Sequence, residues 1–235
     1  MSGLAALLLA TPFLGMQLQA PALQSGAWFS PHRVVDVSAT LPLPQLLQVD
    51  DADEDDEAYA RAVRERQELG QIHRAMGIVT WAAMTVTVGL GLVQYYNLYG
   101  FGAGRDDNPC ATGDAIFGQE QCFGTPWPHL VSSVVTTALY SSTLGMSIGL
   151  LVNDPNQVLT GRGEYSDRIR IHSVLALVHL AGMVAQMVIG IGLANEWFGD
   201  RTNDYEALQS VAVAHQVIGW TTWAALGAAG AIMMF

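Results

Sequence analysis

Histidine is the residue type in this chain whose placement could do chemistry. Five of the six histidines lie in or at the edge of four long uncharged stretches, namely His73, His129, His172, His179 and His215. Ionisable side chains inside apolar segments are costly, which makes each one a candidate functional residue. A single histidine at the end of such a segment is normally an interfacial residue. A histidine near the start of each of the four stretches indicates a shared site. Neutral imidazole is a common metal ligand, so metal binding is the chemistry expected there.

The histidines predict two pairs at opposite ends of a helix bundle. Successive membrane helices run in opposite directions, so the starts of the first and third stretches share one side. His73 can therefore meet His172, or His179, while His129 can meet His215 at the other side. His172 and His179 are seven positions apart on one helix face, so both are candidates. Two histidines on facing helices can hold a haem by both axial positions, and either pair alone would hold one.

Small residues accompany these histidines. On a helix, the residue four positions later lies on the same face and, if small, leaves room for a flat macrocycle. The four residues at this spacing are Gly77, Ser133, Ala176 and Gly219. Met183 follows His179 at the same spacing, which favours His172 as the ligand. Gly77 and Gly219 are therefore candidate cofactor-binding residues beside the histidines.

The chain also contains a short internal repeat. The eleven residues that begin at His73 match the eleven that begin at His215 at six positions, including the Gly and Trp of each segment. Two alanine-rich membrane helices would not by themselves share these residues. Equivalent ligand sites on two helices explain the match better.

Composition places these residues in an integral membrane protein. Of 235 residues, 51% are hydrophobic and 13% are charged, against about 25% charged in an ordinary soluble domain. The net charge is −11 and all ten basic residues are arginine, which argues against a nucleic-acid partner. The expected surroundings are membrane lipids.

Four stretches are long enough for helices that span a membrane, a length of about 20 apolar residues. They run over Ala75–Tyr96, Leu130–Val152, Ser173–Ala194 and Val211–Phe235, with no Asp, Glu, Lys or Arg in any of them. Backbone groups inside lipid must be satisfied within the segment, so helices are expected. The predicted fold is all-α, with a transmembrane four-helix bundle over residues 71–235.

Two segments precede the bundle. Residues 1–24 are apolar and predict either a secretory signal peptide or a fifth membrane helix. Residues 25–70 predict an acidic linker, in which the run from Asp50 to Glu57 is a flexible solvated stretch. That linker ends in a short helix, Ala58–Gly70, that leads into the first apolar stretch.

Arginine predicts the orientation of the bundle. Seven arginines lie around the starts of the first and third stretches or in the loop between the second and third, and only two lie at the other side. The positive-inside rule then puts the seven in the cytoplasm. The loop with Cys110 and Cys122 is outside, where a disulfide can form and persist. A cleaved signal peptide would conflict with this orientation, whereas a retained fifth helix would not.

The arrangement resembles the cytochrome b561 family. The residues that carry the resemblance are His73 with Gly77 and Trp81, His129, His172, and His215 with Gly219. In that family the first and third core histidines hold one haem b, and the second and fourth hold another. The resemblance therefore implies that His73 pairs with His172, that His129 pairs with His215, and that the chain is an oxidoreductase transferring electrons across a membrane.

The electron donor and acceptor stay open. The resemblance implies an ascorbate-like reductant, which family members bind with basic residues, lysine among them. This chain has no lysine, and Arg74, Arg168 or Arg170 would have to substitute. A quinol or a periplasmic redox protein fits equally well. The expected location is a bacterial inner membrane, and dimerisation is left open. The alternative function is a haem-free membrane scaffold or assembly subunit that presents a disulfide-closed outer loop.

Overall fold

The described part of the chain is helical. The computed structural model describes residues 49–123, 126–155 and 157–234, and the predictions for residues 1–48 lie outside this part. There is no strand among the described residues. The helices are α1 (Val49–Tyr99), α2 (Pro109–Thr112), α3 (Trp127–Val152), α4 (Glu164–Ala194) and α5 (Tyr205–Ile232), with a 3-10 turn at Gln119–Cys122.

Three of the four long helices are long and apolar enough to cross a membrane. These segments are Glu54–Tyr99, Trp127–Val152 and Glu164–Ala194. Four such segments were predicted from the sequence. Helix α5 has 28 residues, but it is less apolar because His215 and Gln216 lie within it and a run of Trp and Thr follows.

Helix α1 is longer than the sequence predicted. It has 51 residues and begins at Val49, so the acidic run from Asp50 to Glu57 is helical rather than a flexible stretch. Carboxylates are favourable near the positive end of the helix dipole, which explains why a helix can begin there. The side chains of this run from Glu54 onwards are exposed, as expected for a solvated segment.

The long helices form two antiparallel pairs, α1 with α3 and α4 with α5, which are joined along α1 and α5. Buried hydroxyl groups connect the first pair, since Oγ1 of Thr80 lies 3.0 Å from Oγ1 of Thr143. The second pair packs closely through a glycine. A Cβ atom at Gly182 would lie only 2.0 Å from Oγ1 of Thr222, so the side chain of Thr222 occupies that space.

The contact between α1 and α5 explains the tryptophans of the sequence repeat. Trp81 and Trp223 stack with ring centroids 5.5 Å apart, and Nε1 of Trp223 donates to Oγ1 of Thr85 at 2.8 Å. Each tryptophan lies eight positions after the histidine that begins its repeat. Because α1 and α5 are antiparallel, the histidines lie at opposite ends and the tryptophans meet between them.

Arg66 ties α1 to the end of α3. Its guanidinium donates to the carbonyls of Leu150 and Asn153 and lies 3.5 Å from the carboxylate of Asp154. The last carbonyls of a helix have no partner within the helix and carry the negative end of its dipole. Arg66 therefore stabilises this end of α3.

The loop between α1 and α3 is held at the opposite end of the bundle. A disulfide joins Cys110 and Cys122, the pairing expected from the sequence. Asn97 is fully buried and exchanges two hydrogen bonds with the backbone of Ile116, at 2.9 and 3.0 Å. The hydroxyl of Tyr205 donates to carbonyls of this region, so α5 also contacts the loop.

The loop between α4 and α5 is a tight polar turn. The backbone N–H groups of Thr202 and Asn203 donate to Asp200 at 2.7 and 3.1 Å. These bonds, that of Thr202 first, hold the pKa of the Asp200 carboxyl below its usual value. Arg105 donates to the carbonyl of Thr202 at 2.6 Å, which joins the two loops at this end of the bundle.

Gly182→Ala is expected to destabilise the bundle. The added methyl group would displace Thr222 and separate α4 from α5, at a cost of about 2 kcal/mol, since overpacking a close contact costs roughly 1–3 kcal/mol. Unfolding of the detergent-solubilised protein, followed by circular dichroism, measures this. Gly145→Ala is the control, because nothing lies within 4 Å of its added Cβ. Equal stability of the two variants would contradict the close packing.

Arg66→Leu is expected to lower the free energy of unfolding by about 2 kcal/mol, the size of hydrogen bonds made by a charged group. The same unfolding measurement applies. Arg170→Leu serves as the control, because its ion pair with Asp167 is exposed and such pairs contribute about 0.5 kcal/mol. If both variants lose the same stability, Arg66 does not stabilise the end of α3 as described.

Candidate functional site

Two histidine pairs lie at opposite ends of the bundle. The ring centroids of His73 and His172 are 6.2 Å apart, with the ring planes at 81°. Those of His129 and His215 are 6.3 Å apart, with the planes at 90°. We refer to the first as the inner pair and to the second as the outer pair, after the orientation predicted from arginine. The structure brings together the same partners that the resemblance implied.

Each pair reaches across the interior of the bundle. The inner pair joins α1 to α4 and the outer pair joins α3 to α5, whereas the helices that pack closely are α1 with α3, α4 with α5 and α1 with α5. The histidines therefore connect helices that lie diagonally opposite each other. Such a placement leaves the space between each pair of rings inside the bundle.

Three of the four rings are fixed by backbone carbonyls. The Nδ1 atom of His73 lies 3.2 Å from the carbonyl of Thr143, and that of His129 lies 3.2 Å from the carbonyl of Thr87. In the second helix pair, Nδ1 of His172 lies 2.9 Å from the carbonyl of Ala229. A histidine that ligates metal nearly always donates its other ring N–H in this way. Nε2 of all four rings makes no hydrogen bond within the described part of the chain.

The acceptor carbonyls follow a fixed spacing. Each lies fourteen residues after the histidine of its own helix, a spacing that gives Thr87, Thr143, Gln186 and Ala229. Three of these carbonyls accept a hydrogen bond from an imidazole, whereas the carbonyl of Gln186 does not. The side-chain amide of Gln186 instead donates to the carbonyl of His215 at 2.6 Å, and Nδ1 of His215 is buried without a partner among the described residues.

A layer of buried polar side chains lies between the two pairs. These residues follow the four histidines by seven positions and are Thr80, Thr136, His179 and Thr222. Histidines and this layer together follow a heptad spacing, which keeps a stripe on the inner face of a helix. This heptad spacing is visible in the sequence and would have identified the middle layer.

His179 belongs to this middle layer and not to the inner pair. Its Nδ1 lies 2.8 Å from the hydroxyl of Tyr140 on α3, and the two rings are in edge contact at 5.5 Å. Both residues are buried. Of the two candidates left open by the sequence, His172 is the one whose ring lies against His73.

The two candidate glycines differ in their surroundings. Nothing lies within 4 Å of a Cβ built on Gly77, so there is open space beside the inner pair. A Cβ on Gly219 would lie 3.5 Å from the side chain of Gln186, so Gly219 packs against α4.

Two other glycines, Gly91 and Gly190, were not predicted from the sequence. Their Cβ atoms would lie 3.0 and 3.4 Å from the rings of the outer pair. Each lies eighteen residues after a histidine.

The ring separation in both pairs suits two imidazoles that bind one metal ion between them. A metal–nitrogen bond of about 2.0 Å and a further ~1.2 Å to the ring centroid would separate two centroids by roughly 6 Å across a metal. Both observed separations match this value. No group of three or more His, Cys, Asp or Glu side chains suited to a metal ion occurs within the described ranges. Two imidazoles need a macrocycle to complete the coordination of iron.

Comparison with protein-family models, with curated proteins and with solved structures finds no match to this chain.

Proposed function

We propose that this chain is an integral-membrane haem b protein that passes electrons from one side of a membrane to the other. The observation that carries the proposal is the presence of two imidazole pairs, at opposite ends of one bundle, with ring separations suited to iron. A single pair would suit storage or sensing at one surface. Two pairs at opposite ends suit transfer between the surfaces.

The histidines would hold one haem b at each end. His73 and His172 would supply both axial ligands at the inner end, and His129 and His215 would supply them at the outer end. A haem b bound in this way supplies reversible one-electron chemistry. The carbonyl bonds to Nδ1 of His73, His129 and His172 fix the tautomer that leaves Nε2 free.

The proposal includes four membrane-spanning helices. Helix α5 packs along both α4 and α1, and it carries one member of the outer pair. Because a helix that packs along spanning helices must share their depth, we place α5 in the membrane despite its lower hydropathy. The bacterial inner membrane, with the arginine-rich ends in the cytoplasm, is the proposed location.

The residues of the inner end restrict the choice of electron donor. Arg168 and Arg170 are engaged with Glu164 and Asp167 on the same helix, and Arg66 is engaged with the end of α3. These arginines are thus partly neutralised. A quinol from the bilayer or a redox protein outside the membrane is accordingly proposed ahead of an ascorbate-like reductant.

Replacement of single ligands tests both the haem and the pairing. His73→Leu and His172→Leu should each remove the same one of two haems, while His129→Leu and His215→Leu should each remove the other, because an iron with one axial imidazole is poorly held. A dithionite-reduced minus air-oxidised spectrum, with haem quantified per purified chain, measures this. His179→Gln is the matched control and should keep both haems, since an amide can still bond Tyr140.

The outcomes separate the alternatives. Absence of haem from the unaltered chain after expression with added haem would end the electron-transfer proposal and favour the scaffold function. If His172→Leu kept both haems while His179→Gln lost one, the inner pairing would be wrong. One haem per chain would limit the proposal to the pair whose variants lose it.

A second test uses the open space beside the inner pair. Gly77→Val should leave folding unchanged, because nothing lies within 4 Å of its Cβ, but it should displace a macrocycle from the inner end and reduce the haem content to about one per chain. The control is Gly89→Val, which is on the same helix and equally unobstructed. Full haem content in Gly77→Val would show that the macrocycle does not use this space.

A further inference from the structure

Nδ1 of His215 is the exception among the four paired imidazoles. The Nδ1 atoms of the other three rings lie 2.9 to 3.2 Å from a backbone carbonyl of a neighbouring helix. That of His215 is buried and makes no hydrogen bond within the described part of the chain. A buried donor without an acceptor is costly. The function proposed above uses only the iron-binding nitrogen of each ring, so it does not account for this difference.

The ring of His215 is also turned differently from that of His129. Gly91 and Gly190 occupy equivalent positions on α1 and α4, eighteen residues after a histidine. The atoms of His129 nearest to a Cβ built on Gly91 are Cε1 and Nδ1, at 3.0 and 3.3 Å. Those of His215 nearest to a Cβ built on Gly190 are Cε1 and Nε2, at 3.4 and 3.9 Å. The nitrogen turned towards the neighbouring helix is thus Nδ1 in His129 and Nε2 in His215.

Gln186 occupies the position at which a carbonyl acceptor is missing. It follows His172 by fourteen residues, the spacing at which the other three long helices supply a carbonyl to a ring. Its side-chain amide donates to the backbone carbonyl of His215 at 2.6 Å. A carbonyl has two lone pairs, so it can accept this bond beside its helical one. Gln186 is therefore bonded to the backbone of His215 and not to its ring.

The glycine at position 219 gives the amide its place. In α3, the residue four positions after His129 is Ser133, whose hydroxyl donates to the carbonyl of His129 at 2.7 Å. The residue at the same spacing after His215 is Gly219, which has no hydroxyl. A Cβ built there would lie 3.5 Å from Oε1 and 3.6 Å from Nε2 of Gln186. The donor to this carbonyl thus comes from the same helix in α3 but from the neighbouring helix in α5.

We propose that Gln186 is a positioning residue that keeps Nδ1 of His215 without an acceptor and so raises the midpoint potential of a haem held by the outer pair. The proposal rests on the proposed function. A bond from Nδ1–H to a carbonyl makes an imidazole more basic towards its metal, which stabilises the oxidised state. Its absence at His215 therefore favours the electron at the outer end. Neither Gln186 nor His215 is itself oxidised or reduced.

The test is a redox titration of the full-length, haem-loaded protein and of Gln186→Thr, which places the residue of α1 and α3 at this position. Without the amide, the ring of His215 can turn its Nδ1–H to the carbonyl of residue 186, so the potential of the outer haem should fall. The outer haem is the one that His215→Leu lacks. Charges at the ends of the bundle are the same in both proteins and do not affect the difference.

The expected change is roughly tenfold in the affinity of the outer site for the electron, the lower end of the effect that hydrogen-bond partners of metal-bound histidines have. A tenfold change corresponds to about 59 mV for one electron. Imidazole ¹⁵N chemical shifts of the reduced, diamagnetic protein provide a second readout. One Nδ1 signal should lack a hydrogen bond in the unaltered protein and gain it in Gln186→Thr.

Two further variants complete the design. Gln186→Met keeps the length of the side chain without the amide donor, and it serves if the threonine variant fails to fold or to bind haem. Its outer potential should also fall. Val188→Thr is the matched control, because it introduces the same residue type at an exposed position of the same helix. It should leave both potentials unchanged.

The results separate this inference from the proposed function. An unchanged outer potential in a folded, haem-loaded Gln186→Thr or Gln186→Met variant would overturn the role of Gln186 and leave electron transfer intact. Four equally hydrogen-bonded Nδ1 signals in the unaltered protein would overturn it as well. A chain that binds no haem would overturn both proposals.

Discussion

The hydrogen bonds from imidazole N–H groups to backbone carbonyls are the interaction on which the interior of this bundle depends. A helix normally satisfies its own carbonyls, and an apolar interior offers an imidazole few other partners. Here each antiparallel helix pair supplies the acceptor for a histidine of its own pair, as Thr143 does for His73 and Ala229 does for His172. These bonds orient the rings towards the other helix pair. The relative position of the two helix pairs and the geometry of the candidate haem sites are thus connected.

The bundle has an approximate internal symmetry that is broken at two places. Between α1 and α3, both histidines donate to a backbone carbonyl of the other helix. Between α4 and α5, only His172 does so, and the side chain of Gln186 instead donates to the carbonyl of His215. In the middle layer, His179 replaces the threonine of the other helices. The two ends of the molecule therefore differ in their hydrogen bonds, and the layer between them differs in one residue type.

Outside the histidine layers, polar interactions fix the ends of the helices. Arg66 holds the end of α3 at one side. A disulfide, a buried asparagine and the hydroxyl of Tyr205 hold the loop at the other side. Large aromatic side chains at that end, such as Phe123 in the loop and Trp127 at the start of α3, remain exposed, in keeping with the aromatic residues enriched at membrane interfaces. The rest of the core is apolar, because the polar groups lie at the ends of the helices and at the histidine and threonine positions that face the interior.

The sequence by itself determined the all-helical class, the pairing of His129 with His215 across the helices, and the loop disulfide. Each of these depends on local spacing, on the alternation of helix direction or on the position of two cysteines. The tertiary structure decided that His172, and not His179, faces His73, because both lie on one helix face and only the position of Tyr140 distinguishes them. It also decided that the acidic run is helical, since a charged sequence is equally compatible with a solvated coil and with the start of a long helix. The packing of Gly219 against Gln186 was beyond sequence reasoning for the same reason. Spacing along a chain fixes which face a residue lies on, but only the packed helices fix what that face meets.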